Sequence, residues 1–199
     1  MPNSLKATLR GSVAATLAGL TALAAPTATA EGIPSYNLYG LPGLIDMPTA
    51  RVAPDATLST TIGGGGTQGR GTLSFQITPR LSGSFRYSRI SDFSAAGSVD
   101  GVFYDRSFDL RYQLLDEGDL LPGVVVGLQD FIGTGLYGGE YLVATKEIIP
   151  GLDVTGGVGW GRLGSRNPFA ETGNRPEELL GEGGLPTYDR WFRGDVAGF

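Results

Sequence analysis

From Gly71 to Leu163 the chain alternates apolar and polar residues with a period of two. The clearest stretch is Ser107 to Leu114, where Phe108, Leu110, Tyr112 and Leu114 oppose Ser107, Asp109, Arg111 and Gln113. Successive side chains of a strand point to opposite faces, so this pattern gives a strand greasy on one side and wet on the other. Leu73, Phe75 and Ile77 oppose Thr72, Ser74 and Gln76 in the same way. Phe85 and Tyr87 likewise oppose Ser82, Ser84, Arg86 and Ser88. The pattern predicts eight strands, over Thr57–Ile62, Gly71–Ile77, Leu81–Ile90, Arg106–Leu115, Gly123–Ile132, Glu140–Ile149, Leu152–Leu163 and Trp191–Phe199. Strands of about ten residues, alternating in this way, are those of an up-and-down outer-membrane β-barrel.

The predicted connections sort by parity. Thr78-Pro79-Arg80, Asp116–Pro122 and Pro150-Gly151 read as short turns. The glycine run Gly63–Arg70, then Ser91–Asp105 and Gly164–Arg190, read as longer loops. Short turns at one end and long loops at the other suit a bacterial barrel. A secreted β-sandwich that binds glycans is the competing architecture. It is distinguished by its aromatic face: Phe85, Tyr87, Phe108, Tyr112, Tyr141 and Trp160 meet lipid or its interfaces in a barrel, and are buried in a sandwich.

Three regions are expected. Residues 1–30 read as a signal peptide, with Lys6 and Arg10 ahead of an apolar run and Ala28-Thr29-Ala30 for cleavage. The apolar run is too short to span a bilayer comfortably and breaks at Pro26. Residues 31–56 form an irregular segment rich in Gly and Pro, too apolar for a free tail, which should pack in a barrel interior or at its periplasmic rim. Residues 57–199 carry the strands and are expected to be an incomplete barrel.

Removing Lys6 and Arg10 from 15 basic residues leaves 13 against 20 acidic ones. That balance offers no basic stripe for nucleic acid. With no histidine and no cysteine, the Ser-His-Asp and Cys-His catalytic sets, the usual zinc and haem ligands, disulfides and the acyl anchor of a lipoprotein are all missing from the sequence. A non-enzymatic protein without cofactors is expected. The acidic group Asp116, Glu117 and Asp119 reads as a solvated turn, and the Gly63–Gly71 run lacks the Gly-Lys-Ser/Thr of a phosphate loop. The wet parity supplies Arg86, Asp109, Arg111, Gln129 and Lys146 as candidates to face the lumen.

The string Gly127–Lys146, above all "GTGLYGGEYLVATK", resembles the YjbH-type exopolysaccharide-associated outer-membrane proteins of Gram-negative bacteria. "NLYGLPGLIDMPTA", "FRYSRI", "YDRSFDLRYQLL" and "GVGWGRLG" carry the same resemblance, which covers about Tyr36 to Gly164. It implies a barrel in the outer membrane, in contact with its lipid, with a polysaccharide and other export proteins as partners. Family members are several times longer, and some look like lipoproteins. Within the family motif, Gly133, Thr134, Gly135, Leu136 and Tyr137 read either as a loop that folds inward over the barrel mouth or as an ordinary glycine-rich hairpin with Tyr137 in the aromatic girdle. Glu140 is expected to pair with an inward cation such as Arg111 or Lys146.

Overall fold

The computed structural model describes residues 32–93, 99–173, 175 and 191–199. The expected signal peptide lies outside them, as do residues 174 and 176–190 of the long predicted loop. The described chain is all β apart from one 3-10 turn, Gly161–Leu163. No helix among the described residues is long and apolar enough to cross a membrane, which says nothing of strands.

Period two becomes strand over most of its length. The long elements are β3 (Leu58–Gly65), β4 (Gln68–Gln76), β5 (Leu81–Ser91), β6 (Val102–Leu115), β7 (Gly123–Gly133), β8 (Gly139–Ile149) and β9 (Leu152–Gly159). Short pieces are β1 (Gly43–Leu44), β2 (Met47–Pro48), β10 (Ala170–Glu171) and β11 (Asp195–Gly198). From β3 to β9 each strand pairs antiparallel with the next, and β11 and β10 continue beyond β9. The result is one open nine-stranded sheet among the described residues, with β3 at one edge and β10 at the other.

Four expectations change. The glycine run is not a long loop. Its backbone keeps pairing to Gly65↔Gln68 and closes in a tight turn with Gly66 at φ +59°. Glycine weakens a strand but removes no ladder hydrogen bond, so it does not end one. The seventh predicted strand stops at Gly159, four residues early, because the chain turns there into the 3-10 turn. The last shrinks to Asp195–Gly198. The irregular segment also holds one small regular piece, the β1–β2 hairpin.

The two faces of the sheet have opposite fates. Leu73, Phe75, Tyr87, Phe108, Tyr112, Leu114, Ile132, Leu142 and Val154 are exposed, whereas Thr72, Ser74, Gln76, Ser84, Arg86, Ser88, Asp105, Ser107, Asp109, Arg111, Gln113 and Gln129 are buried. What covers the polar face is the segment Tyr36–Ala53. The sheet curls around it. Arg70 on β4 and Arg162 after β9 lie 4.5 and 4.2 Å from the centre of the same Tyr39 ring. A flat sheet would hold strands five positions apart at ~24 Å.

Candidate functional site

The inner segment is tied down at both ends and along its length by side chains from the polar face. At its head, Asn37 Oδ1 accepts from the backbone N–H groups of Tyr39 and Leu41 at 3.0 and 3.1 Å, forming a compact turn. Gly40 follows at φ +75°. A Cβ there would sit 2.4 Å from Thr72 Cβ, so only glycine lets the backbone come this close to β4. The Tyr39 carbonyl accepts from Thr72 Oγ1 (3.1 Å) and Arg86 Nη1 (3.4 Å), and the Gly40 carbonyl from Ser74 Oγ. Farther on, Arg111 donates to the carbonyls of Thr49 and Arg51, and Ala50 N–H donates to Thr145 Oγ1 at 2.8 Å. At the foot, Arg51 pairs with Glu117 and Asp153, and Lys146 Nζ reaches Glu117 at 2.8 Å.

Beneath the head lies a buried ion pair. Arg86 Nη1 donates to Asp109 Oδ2 at 3.0 Å, with both side chains fully enclosed. Asp109 also accepts from Ser84 Oγ (2.9 Å) and from Asp130 N–H (2.7 Å). The last bond comes from a bulge in β7: Asp130 has φ +52°, and the register slips between Phe108↔Ile132 and Leu110↔Leu128. A buried pair offsets its desolvation better the more of its polar atoms are bonded, and the bulge supplies one such bond to Asp109, while Arg86 Nε has no acceptor among the described residues.

The family-motif loop packs against the head of the inner segment. Gly133, at φ +141°, admits the Arg106 carbonyl where a Cβ would lie 2.0 Å from it, and Gly135 has φ +72°. Thr134 Oγ1 donates to Asp105. Tyr137 is 8% exposed, donates its N–H to Asp130 at 2.9 Å and its hydroxyl to Gln68 at 3.2 Å. Leu136 packs with Tyr39, Ile90 and Tyr137. Tyr39 and Tyr137 meet edge to face at 5.5 Å, and Arg70 and Arg86 lie over both rings. Arg162 adds a third guanidinium to Tyr39. Each such stack holds a cation by the ring's quadrupole.

Of the polar residues predicted to face inward, Arg86, Asp109, Arg111 and Gln129 are all buried there. Gln129 accepts from Arg162 Nη2 at 3.0 Å. Lys146 does not join them. It shares the parity of Leu142 and Val154 on the outer face and reaches the turn residue Glu117 instead. Glu140 is buried, but its partner is Arg175, at 2.7 and 3.1 Å, and neither Arg111 nor Lys146. Of the aromatics predicted to face lipid, Tyr87, Phe108 and Tyr112 are exposed, and Phe85 is half-buried against Phe108 at 5.0 Å. Half-buried Trp160 donates to Thr172 Oγ1 and stacks on Phe192.

Tyr141 is the clear correction. It points inward, fully buried with Ala50, Val125, Val143 and Leu163. Its ring lies over Gly127, its direct cross-strand partner, where a Cβ would be 2.2 Å from Tyr141 Cζ. A glycine opposite an aromatic is the signal that could have placed it. Sequence reasoning also missed Tyr39, Asp46, Arg70 and Arg162 as parts of one cluster, since no periodicity links them.

A family model described as "Exopolysaccharide biosynthesis protein YbjH" matches residues 35–199. The chain is also similar to the "Uncharacterized lipoprotein YjbH" of Escherichia coli (strain K12), 37% identical over 145 residues. That alignment covers 69% of this chain and 21% of the relative, so the chain spans about a fifth of that protein. No solved structure matches. The family match starts ahead of Tyr39 and runs through β11, taking in both the inner segment and the sheet that encloses it, and the chain belongs to the YjbH family of exopolysaccharide biosynthesis proteins.

Proposed function

We propose that this chain is part of the wall of an outer-membrane β-barrel that serves the production or export of an exopolysaccharide, without itself catalysing a reaction. The observation that carries this reading is the inverted burial of the sheet. Water-soluble monomers rarely leave large contiguous apolar patches in solvent. Here a whole sheet face of Leu, Phe, Tyr, Ile and Val is exposed while Arg86, Asp109 and Arg111 are enclosed. Lipid reverses the usual cost, because it solvates the apolar face and forces polar groups inward. A secreted sandwich would bury Tyr87, Phe108 and Tyr112 between two sheets, so their exposure disfavours it.

The curled sheet supports the same reading. In hydrocarbon an open edge is untenable, so the free sides of β3 and β10 would pair with further strands. The inner segment would then sit in the lumen. Fractionation checks this: the full chain should sediment with outer-membrane porins and show heat-modifiable gel mobility. Recovery in the soluble periplasm would overturn it.

A further inference from the structure

We propose that the inner segment occupies a binding site for a carboxylate-bearing, uronate-type glycan, with Tyr39 and Asp46 standing where one acidic sugar unit would lie. This inference rests on reading the polar face as an interior that meets the exopolysaccharide. Tyr39 places a six-membered ring among Arg70, Arg86 and Arg162, edge to face with Tyr137. Asp46, from the same segment, places a carboxylate on Arg162, with Nη1 3.1 Å from both oxygens. A ring flanked by guanidiniums, with a carboxylate on one of them, is the chemical outline of a hexuronate.

The donors in this cage exceed what Tyr39 can use. Arg70 Nε, Arg86 Nε, Arg162 Nε and Gln129 Nε2 are buried with no acceptor among the described residues. Tyr39 offers these donors π density and a single hydroxyl oxygen, whereas a sugar carries hydroxyl oxygens around its whole rim. The charge balance selects an anion. Arg86 keeps Asp109, but Arg162 has only Asp46 as carboxylate partner and Arg70 has none, among the described residues. If the segment leaves, two guanidiniums are left without a carboxylate partner, and such groups recognise carboxylates strongly.

The segment is also built to leave. Among the described residues, every backbone–backbone hydrogen bond made by residues 36–53 closes within residues 35–49, from Gly43 N–H to the Ser35 carbonyl through Thr49 N–H to the Pro42 carbonyl. None is a rung on the large sheet. It is held there by side chains, whose hydrogen bonds a polyhydroxylated ligand can replace.

The test uses the full chain folded in detergent micelles, with oligogalacturonate as the acidic probe and a malto-oligosaccharide of equal length as the neutral one. Tyr39→Ala combined with Asp46→Ala should bind oligogalacturonate roughly tenfold or more tightly than the unmodified chain. Adding Arg70→Gln and Arg162→Gln should remove the gain. No gain, a gain that survives loss of both arginines, or an equal gain for the neutral probe would overturn the proposal. If the double variant loses heat-modifiable mobility, a second measurement decides. The sequence has no cysteine, so Ala50→Cys reports on the buried segment alone. Its maleimide labelling should accelerate with oligogalacturonate and not with the neutral probe; an unchanged rate refutes displacement. Neither assay depends on where the protein resides, so its failure is distinct from a failure of fractionation.

Discussion

Phe108 and Asp109 are neighbours in sequence and opposites in environment, 44% and 2% exposed. The two faces of this sheet obey different rules. The inner face is crowded and specific: Arg86, Arg162 and Glu140 each have a named ionic partner, and the backbone of the inner segment comes within one methyl group of β4. The outer face is repetitive and tolerant, with apolar side chains paired across strands, such as Phe85 with Phe108 and Tyr87 with Tyr104. What the difference teaches is that the specific chemistry of this protein lies on the face that a water-soluble fold would turn outward.

The comparison breaks most readily at the ion pair. Asp109→Ala leaves the Arg86 guanidinium enclosed without its carboxylate, and also removes the acceptor for Ser84 and Asp130. A loss of about 3–5 kcal/mol is expected, read from urea unfolding by tryptophan fluorescence. A loss under ~1 kcal/mol would mean the inner face is wet and loosely held.

The outer face has its own test. Leu110→Arg, in the middle of β6, should cost roughly 2–4 kcal/mol for protein reconstituted in a bilayer. If that face meets water instead, the same half-buried position should tolerate the change within ~0.5 kcal/mol. The two outcomes do not overlap, so this variant decides what the face touches.

How much of this could be read from the chain alone depends on which signal each part carries. Alternation placed Phe108 and Asp109 on opposite faces because β6 keeps strict parity across Ser107–Leu114. Around Tyr141 it fails, since Tyr141, Leu142, Val143 and Ala144 are apolar on both parities. There the interior itself turns apolar, against Ala50, so hydrophobicity no longer distinguishes in from out. The tyrosine–arginine cluster was illegible for another reason. Tyr39, Arg70, Tyr137 and Arg162 lie far apart in sequence, and only the curl of the sheet joins them. Glu140 pairs with Arg175 and not with Arg111 or Lys146, and Arg175 lies in a stretch with no periodic pattern to place it.

A subtler variant sharpens the contrast between crowded and open backbone. Gly40→Ala forces a side chain onto Thr72 at positive φ, and should cost roughly 1–3 kcal/mol. Gly71→Ala, on the outer face with nothing within 4 Å of the added carbon, should change stability by less than ~0.5 kcal/mol. Equal effects at the two sites would mean that the inner segment does not seat against β4.

The smallest effect belongs to the foot of the inner segment, where both faces give way to a charged rim. The hydrogen bond from Lys146, with further bonds from Glu147 N–H and Arg51, pushes the Glu117 carboxyl down to about 2 from its ordinary 4.5. A carboxyl held low when folded contributes stability that is fully present above the ordinary value and is lost as pH falls from about 4.5 toward 2. The carboxylate is partly solvent-exposed, so screening limits its contribution to ~0.2–1 kcal/mol. Thermal unfolding followed between pH 7 and pH 2 should therefore show the unmodified chain losing slightly more stability than Glu117→Gln below pH 4.5, with the two curves converging near pH 2. Parallel curves across that window would mean that the ion cluster of Arg51, Glu117 and Lys146 does not hold the foot of the segment in place.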